Sequence, residues 1–415
     1  MYENETRPQR ALLVSLDTGE YDAEVSLGEL EELAHTAGAE PVLTLTQKRP
    51  APDTATCIGS GMVEQAAQLC QQEEIDLLIF DRELTPTQIR NLEKACGVQV
   101  IDRTTLILDI FAQRARSKEG KLQVELAMLK YRLPRLAGLG ASLSRMGSGA
   151  SLRMRGPGET KLELDRRIIR GRIEDLTKEL KELSRQRAMR RARREKQGET
   201  IVALVGYTNA GKSTLLNALS GADAYVEDKL FATLDPIFRQ VELPENRSCL
   251  LVDTVGFINK LPHQLVEAFH STLEEALNAD LLVLVHDLSA PDMADQRATV
   301  LRVLRELGAG DKPCVEAFNK IDAVDFREPI DPPGAVYISA KTGEGLDRLR
   351  EEISRRVAAM RARVELTIPF DKGAALSALH AVAEVLSQEY GENGATVVCR
   401  IDAVNLARIQ KMLQS

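Results

Sequence analysis

One spacing constrains this chain more than any other: Gly206-x-x-x-x-Gly211-Lys212-Ser213, set between the apolar run Ile201–Val205 and a helical pattern. The two glycines let the backbone turn tightly. The N–H groups of Tyr207, Thr208, Asn209 and Ala210 then point inward and wrap a phosphate. Lys212 supplies a point charge to terminal phosphate oxygens, the Ser213 hydroxyl suits a Mg²⁺ ion, and Thr214 continues into a helix whose positive end faces the phosphates. By average residue usage such a pattern arises by chance in about 1% of chains of this length. A strand before it and a helix after it make a ligand-free glycine turn still less plausible.

Three further motifs follow in a fixed order, each after an apparent strand. Cys249–Asp253 ends in an aspartate and runs into Thr254-Val255-Gly256. An aspartate at a strand's C-terminal end beside the phosphate loop can hold Mg²⁺ through water, and glycine at 256 allows its N–H to approach a third phosphate closely. Pro313–Phe318 leads into Asn319-Lys320-Ile321-Asp322. The Asp322 carboxylate can accept from guanine N1–H and the 2-amino group, neither of which adenine offers; unpaired polar groups of this kind are worth ~10⁴–10⁵ in discrimination. Asn319 is placed for the other edge of the base and the Lys320 stem for its face. Val336–Ile338 then leads to Ser339-Ala340-Lys341, whose N–H groups can reach guanine O6. Singly these are common turns; in series they specify GTP and GDP.

The rest of the 415 residues organises around this block. Ala11–Leu16, Pro41–Leu45, Ile75–Phe80 and Val98–Ile101 read as strands alternating with helices at Leu27–Ala37, Met62–Gln72 and Pro86–Cys96, a small parallel α/β layer. Residues 104–133 read as one long helix, 137–158 as a mobile Gly/Ser-rich loop, and 159–196 as a second helix, together a helical hairpin. At the end of the chain, strands at Val364–Ile368 and Thr396–Ile401 flank a helix over Ala374–Glu389, with a last helix over Asn405–Leu413. The expected fold class is α/β: a small parallel α/β domain (1–115) plus a long helical hairpin (116–198), a P-loop domain (199–361) and a small α+β C-terminal domain (362–415).

Charge is unevenly spread. Residues 153–197 carry 16 Lys/Arg against 8 Asp/Glu within a chain of net charge −8. The hairpin's end, with Arg185, Arg187, Arg190, Arg191, Arg193 and Arg194, is a candidate RNA contact or else a solvated helical face. Cysteines at 57, 70, 96, 249, 314 and 399 show neither metal-ligand spacing nor a disulfide framework. No apolar run reaches the ~18–20 residues of a transmembrane helix and no signal peptide opens the chain, so a cytoplasmic protein is expected.

Four stretches outside the nucleotide motifs carry a family likeness: VIDRTTLILDIFAQRARSKEGKLQVELAMLKYRLPRL (100–136), RGPGETKLELDRRIIRGRI (155–173), AYVEDKLFATLDP (224–236) and DTVGFINKLPHQLVEAFHSTLEEA (253–276). On these the chain resembles the HflX family of ribosome-associated GTPases over roughly residues 11–361, with the tail matching more loosely. It departs from the family at Gly59-Ser60-Gly61-Met62, where a lysine is usual after the second glycine, and in the hairpin loop SRMGSGASLRM. The resemblance implies that Phe231, Ala232 and Thr233 form the first switch, with Thr233 completing a Mg²⁺ shell of Ser213, Thr233 and Asp253. Lys212, Thr233 and Gly256 are then the catalytic set. It also implies a monomer that binds the large (50S) ribosomal subunit through rRNA, in splitting or rescue of stalled ribosomes or in subunit maturation.

Where many small GTPases carry a water-orienting glutamine after the DxxG glycine, this chain has Phe257, so a weak intrinsic rate stimulated by a partner is expected unless backbone or His263 orders the water. Asn209 either supports a K⁺ ion in place of an arginine finger or simply tolerates a tight turn. The other reading of the whole is a signalling GTPase whose N-terminal domain binds a protein effector without RNA. A second nucleotide in that N-terminal domain has no phosphate loop to hold it, since none precedes residue 206.

Overall fold

A computed structural model describes residues 7–19, 22–146, 157–197, 199–221, 230–231, 233–245, 247–260, 270–324, 334–360, 362–391, 393–401 and 403–414; for some residues inside helices only the backbone is described. The chain divides into two compact units. One comprises residues 1–183 with 226–235 and 255–273; the other comprises 184–225, 236–254 and 274–415.

The first unit begins with alternating strands and helices: β1 (Gln9–Asp17), α1 (Ala23–Ala37), β2 (Ala39–Lys48), α2 (Ser60–Gln72), β3 (Leu77–Phe80), α3 (Pro86–Cys96), β4 (Gln99–Asp102) and α4 (Arg103–Arg114). The four strands are parallel in the order β2-β1-β3-β4. β1 reads as a continuous apolar run because both faces are covered: Leu13 packs with α1 and α4, Leu12 and Val14 with α2 and α3. Local chemistry fixes the helix ends. Asp22 accepts from Glu24 N and Val25 N at the start of α1, Thr85 and Gln88 form a capping box on α3, and Gly38 and Gly97 close α1 and α3 at positive φ.

Two long helices follow, α5 (Lys118–Met146) and α6 (Pro157–Gln197), and Leu122, Leu126 and Leu176 pack where they meet. Two expectations are corrected here. Residues 104–133 are not one helix: α4 ends at Arg114, Ala115 is extended, and the Asp235 carboxylate accepts from Arg116 N and Ser117 N at the break. Nor does Pro134 end α5, which runs through it to Met146, so the predicted loop over 137–158 is helical at both margins; residues 147–156 lie outside the described residues. A proline removes one helical hydrogen bond, a cost that packing of the preceding turns against α4 and α6 can outweigh.

The second unit holds β5 (Ile201–Gly206), α7 (Lys212–Ser220), β6 (Ile237–Leu243), β7 (Arg247–Asp253), α8 (His270–Asn278), β8 (Leu281–Asp287), α9 (Met293–Glu306), β9 (Cys314–Asn319), β10 (Val336–Tyr337) and α10 (Leu346–Met360). Its six-stranded sheet has the order β10-β9-β8-β5-β7-β6, parallel except for the edge strand β6. The central strands β5 and β8 are buried almost throughout, which puts the C-terminal ends of β5, β7, β8 and β9 along one rim.

The chain ends in β11 (Ala362–Ile368), α11 (Gly373–Val382), β12 (Glu384–Gly391), β13 (Gly394–Ile401) and α12 (Ala403–Gln414). The strands form an antiparallel sheet in the order β11-β13-β12. The helix expected over Ala374–Glu389 stops at Val382; Glu384–Gly391 is a strand. The Gly391-Glu392-Asn393-Gly394 stretch is a hairpin signal, and pairing with β13 outweighs the helical pattern that Ala374–Glu389 shows in isolation.

Among the glycines of the second unit, Gly345 tolerates no side chain. Gly345 has φ +76°, and a Cβ there would lie 2.2 Å from the Tyr337 carbonyl oxygen. Gly345→Ala is expected to destabilise the protein by about 2–4 kcal/mol, read as a lowered urea midpoint with an unchanged m-value.

Candidate nucleotide site

The phosphate loop leaves β5 at Gly206 and enters α7 at Lys212. Both of its glycines are required by contact. A Cβ on Gly206 would stand 2.2 Å from the Val285 carbonyl oxygen of β8, and one on Gly211 (φ +90°) would stand 2.3 Å from Asn319 Nδ2. Asn209 between them also has positive φ (+60°), a conformation asparagine tolerates well, which gives its presence a backbone reason.

Lys212 is 6% exposed, and its ammonium donates to the carbonyl oxygens of Tyr207 (2.7 Å) and Gly206 (3.2 Å). Burial pulls its pKa down to about 8, with the Asp253 charge opposing the shift. A buried cation whose hydrogen bonds among the described residues go to two backbone carbonyls is a site prepared for an anion. The Thr208 hydroxyl in the same loop is buried without a hydrogen-bond partner among the described residues, a second polar group turned away from water. Beside them, Ser213 Oγ donates to Asp253 Oδ2 at 2.6 Å. Asp253 is fully buried at the end of β7, and Thr254 Oγ1 donates to the Leu204 carbonyl at 2.7 Å, tying β7 to β5. A hydroxyl and a carboxylate in contact are hard oxygen donors, which suits Mg²⁺.

The base-side motifs lie on the same rim. Asn319 Nδ2 donates to the Ala210 carbonyl (2.9 Å) and Asn319 Oδ1 accepts from Ala340 N (2.9 Å). The side chain is thus a brace joining the phosphate loop to the Ser339-Ala340-Lys341 turn. Lys320, at φ +67°, pairs with Asp287 Oδ2 at 2.7 Å, which extends its stem beside the turn. Asp322 is exposed and accepts from Ser339 Oγ at 2.6 Å. That hydrogen bond, with the Lys341 and Lys320 charges, holds its pKa below the usual range, so it stays an acceptor at neutral pH. Sequence reading passed over Asp287 and Asn319's bracing role. The signal for Asp287 was available, since it ends a buried strand as Asp253 does.

The remaining candidates fall elsewhere. Phe231, Thr233, Val255 and Gly256 belong to the first unit, where Phe231 and Val255 are buried together with Leu230, Leu234 and Ile258. Phe257 is also buried, at 2% exposure. Ala232 and His263 lie outside the described residues, as do the side chains of Arg190 and Arg193. Of the other hairpin arginines, Arg187 and Arg191 pair with Glu274 (3.4 and 3.8 Å), and Arg194 stacks 4.5 Å above the Phe238 ring, whereas Arg185 is exposed. Three of the six therefore have intramolecular partners.

A parallel sheet whose phosphate loop, strand-end aspartate and two guanine motifs share one rim defines a P-loop GTPase. Comparison with known proteins agrees. Residues 24–112 match the family described as GTP-binding GTPase N-terminal, 114–194 its middle region, and 201–320 the 50S ribosome-binding GTPase family. Over 98% of this chain and 94% of its own length, a GTPase HflX from Caldanaerobacter subterraneus is 51% identical; the GTPase HflX of Escherichia coli is 39% identical over 99% and 98%. A GTP-binding protein from Sulfolobus solfataricus, solved with GDP, aligns over 85% of this chain and 99% of its own at 27% identity and a TM-score of 0.45. The chain belongs to the HflX family of GTPases: it binds guanine nucleotide and hydrolyses GTP.

The Lys212 environment predicts a pH dependence. A bound phosphate raises the ammonium's pKa above its free value of about 8, so binding above that pH must take up a proton. GDP affinity is expected to be flat from pH 6.5 to 7.5 and to fall above pH 8 by up to about tenfold per unit. Titration of fluorescent GDP across this range checks it.

Proposed function

We propose that the chain is a cytoplasmic, monomeric GTPase of the large ribosomal subunit, acting in the splitting or rescue of stalled ribosomes or in subunit maturation. The observation that carries this reading is the match to the 50S ribosome-binding GTPase family, alongside near-full-length likeness to GTPase HflX proteins. The site chemistry supports the enzymatic part. Phosphates would lie on the N–H groups of 207–211 with Lys212 at their terminal oxygens. Gly256 would offer its N–H to the third phosphate and Asp322 would read the guanine edge. Ser213 and Asp253, with Thr233, would hold Mg²⁺, which when bound neutralises charge developing on the phosphates.

Phe257 offers no hydrogen bond to water, so positioning of the attacking water is left to other groups and the unaided rate is low. The hairpin's basic end supports contact with rRNA, and because three of its arginines are tied within the protein, the exposed Arg185 and the face around it are the proposed contact.

Multiple-turnover GTP hydrolysis with and without purified large subunits tests the proposal. Stimulation of at least tenfold, declining steeply with salt, is expected; no stimulation contradicts it. A K⁺ role for Asn209 would appear as faster turnover in KCl than in NaCl. Asp322→Asn exchanges an acceptor for a donor and is expected to move nucleotide preference from guanine towards xanthine, measured by competition between GDP and XDP.

A further inference from the structure

The C-terminal ends of parallel strands are where α/β sheets receive ligands, and in the N-terminal sheet that place is filled by the chain itself. Asp81, directly after β3, is 1% exposed. Its Oδ1 accepts from Arg103 Nη1 (2.8 Å), and Arg103, directly after β4, also pairs with Glu29 of α1. Its Oδ2 accepts from Ser26 Oγ (2.5 Å) and from the ammonium of Lys260 (2.7 Å). Lys260 stands four residues beyond Gly256. Its neighbour Asn259 is gripped through the backbone: the carbonyl accepts from Arg103 Nη2 (3.3 Å), and the N–H points to Glu29 Oε1 (3.4 Å). Lys260 has φ +54°, a conformation a lysine adopts only when surroundings impose it. Burial, with the Arg103 charge, lowers its pKa against the opposing Asp81 charge.

The segment around Thr233 is anchored within the same unit by independent contacts. Phe231, also at positive φ (+53°), meets Phe111 of α4 edge-on with centroids 4.6 Å apart. Asp235 accepts from Ser117 N at 2.8 Å and from its hydroxyl. A Cβ on Gly120 would stand 2.7 Å from Asp235 Oδ1, so the fit is close. The residues flanking both candidate γ-phosphate sensors are therefore fixed within the first unit.

We propose that the Glu29–Asp81–Arg103 cluster is a latch for Lys260, and that Asp81 and Arg103 are positioning residues that set how readily the segment after Gly256 answers the third phosphate of GTP. This rests on the reading of Gly206–Ser213 as a GTP site. The latch is satisfied by the protein alone, so GTP draws on its γ-phosphate contacts to shift this segment, whereas GDP has none to spend. A ligand shifts an equilibrium only by its differential affinity, and the latch therefore lowers affinity for the triphosphate selectively.

The test is calorimetry with GDP and the non-hydrolysable analogue GppNHp on the full chain. Lys260→Met, at a side chain that is one-quarter exposed, is expected to tighten GppNHp at least fivefold while GDP stays within twofold. Lys260→Arg, which can still reach Asp81, is expected to stay near wild type. Asp81→Asn is expected to repeat the Lys260→Met effect, and the double variant to add nothing, as for two halves of one interaction. If Asp81→Asn fails to fold, the Met/Arg pair at 260 decides alone. A GppNHp-to-GDP ratio unmoved by Lys260→Met, or moved equally by Lys260→Arg, overturns the latch by itself. A wild-type chain that binds neither nucleotide overturns the GTP-site reading and the latch with it.

Discussion

Burying the ammonium of Lys212 is the demand around which the second unit is organised. A lysine out of water is costly, and here the carbonyls of residues 206 and 207 offset only part of that cost, as the fall of its pKa to about 8 records. The carbonyls converge because the loop turns through three consecutive constraints: Gly206 against β8, Asn209 at positive φ, and Gly211 against Asn319. Asn319 then carries the constraint onward, since its amide binds the phosphate loop at one end and the Ser339–Lys341 turn at the other. The loop proposed for the phosphates and the turn proposed for the base are thus joined through one side chain. A substitution at Asn319 should be felt at both ends of the nucleotide.

The motifs from which the site chemistry is proposed are legible because each is local. A glycine spacing, an aspartate at a strand end and the NKxD series all depend on residues within one turn and its flanking strand. What was not legible depends on distance. Lys260 and Asp81 are 179 residues apart, and Ser117 and Asp235 are 118 apart. Nothing in either neighbourhood marks the partner. The same holds for the break between α4 and α5, which looks like continuous helix until Asp235 arrives to bind the N–H groups at residues 116 and 117. The strand over Glu384–Gly391 was missed for a related reason: its helical pattern is real, but the hairpin partner that overrides it begins at Gly394. The edge strand β6 was also overlooked, since its polar exposed face reads as loop until it pairs antiparallel with β7.

On the proposed reading of Thr233 and Gly256 as γ-phosphate sensors, the anchoring of their segments bears on switching. The phosphate loop and the Asn319 brace are built from buried hydrogen bonds. The segments flanking Thr233 and Gly256 are held by core burial of Phe231, Leu234, Val255 and Ile258 together with ion pairs to Lys260, with positive φ at Phe231 and Lys260; under the latch proposal, the ion pairs are the part that GTP would exchange. A bistable element needs this contrast, because a small chemical difference such as one phosphate moves only what is held by comparable forces.

On the proposed reading, guanine nucleotide binds at the Gly206–Ser213 loop with Lys212 as its buried cation. Isothermal titration of the intact chain with GDP and with ADP, beside Lys212→Ala, tests it most directly. The account predicts saturable heat with GDP, at least a thousandfold weaker binding of ADP, and loss of the GDP signal in Lys212→Ala from a protein with unchanged circular dichroism. Comparable affinity for the two nucleotides, or undiminished GDP binding without the lysine, would contradict it.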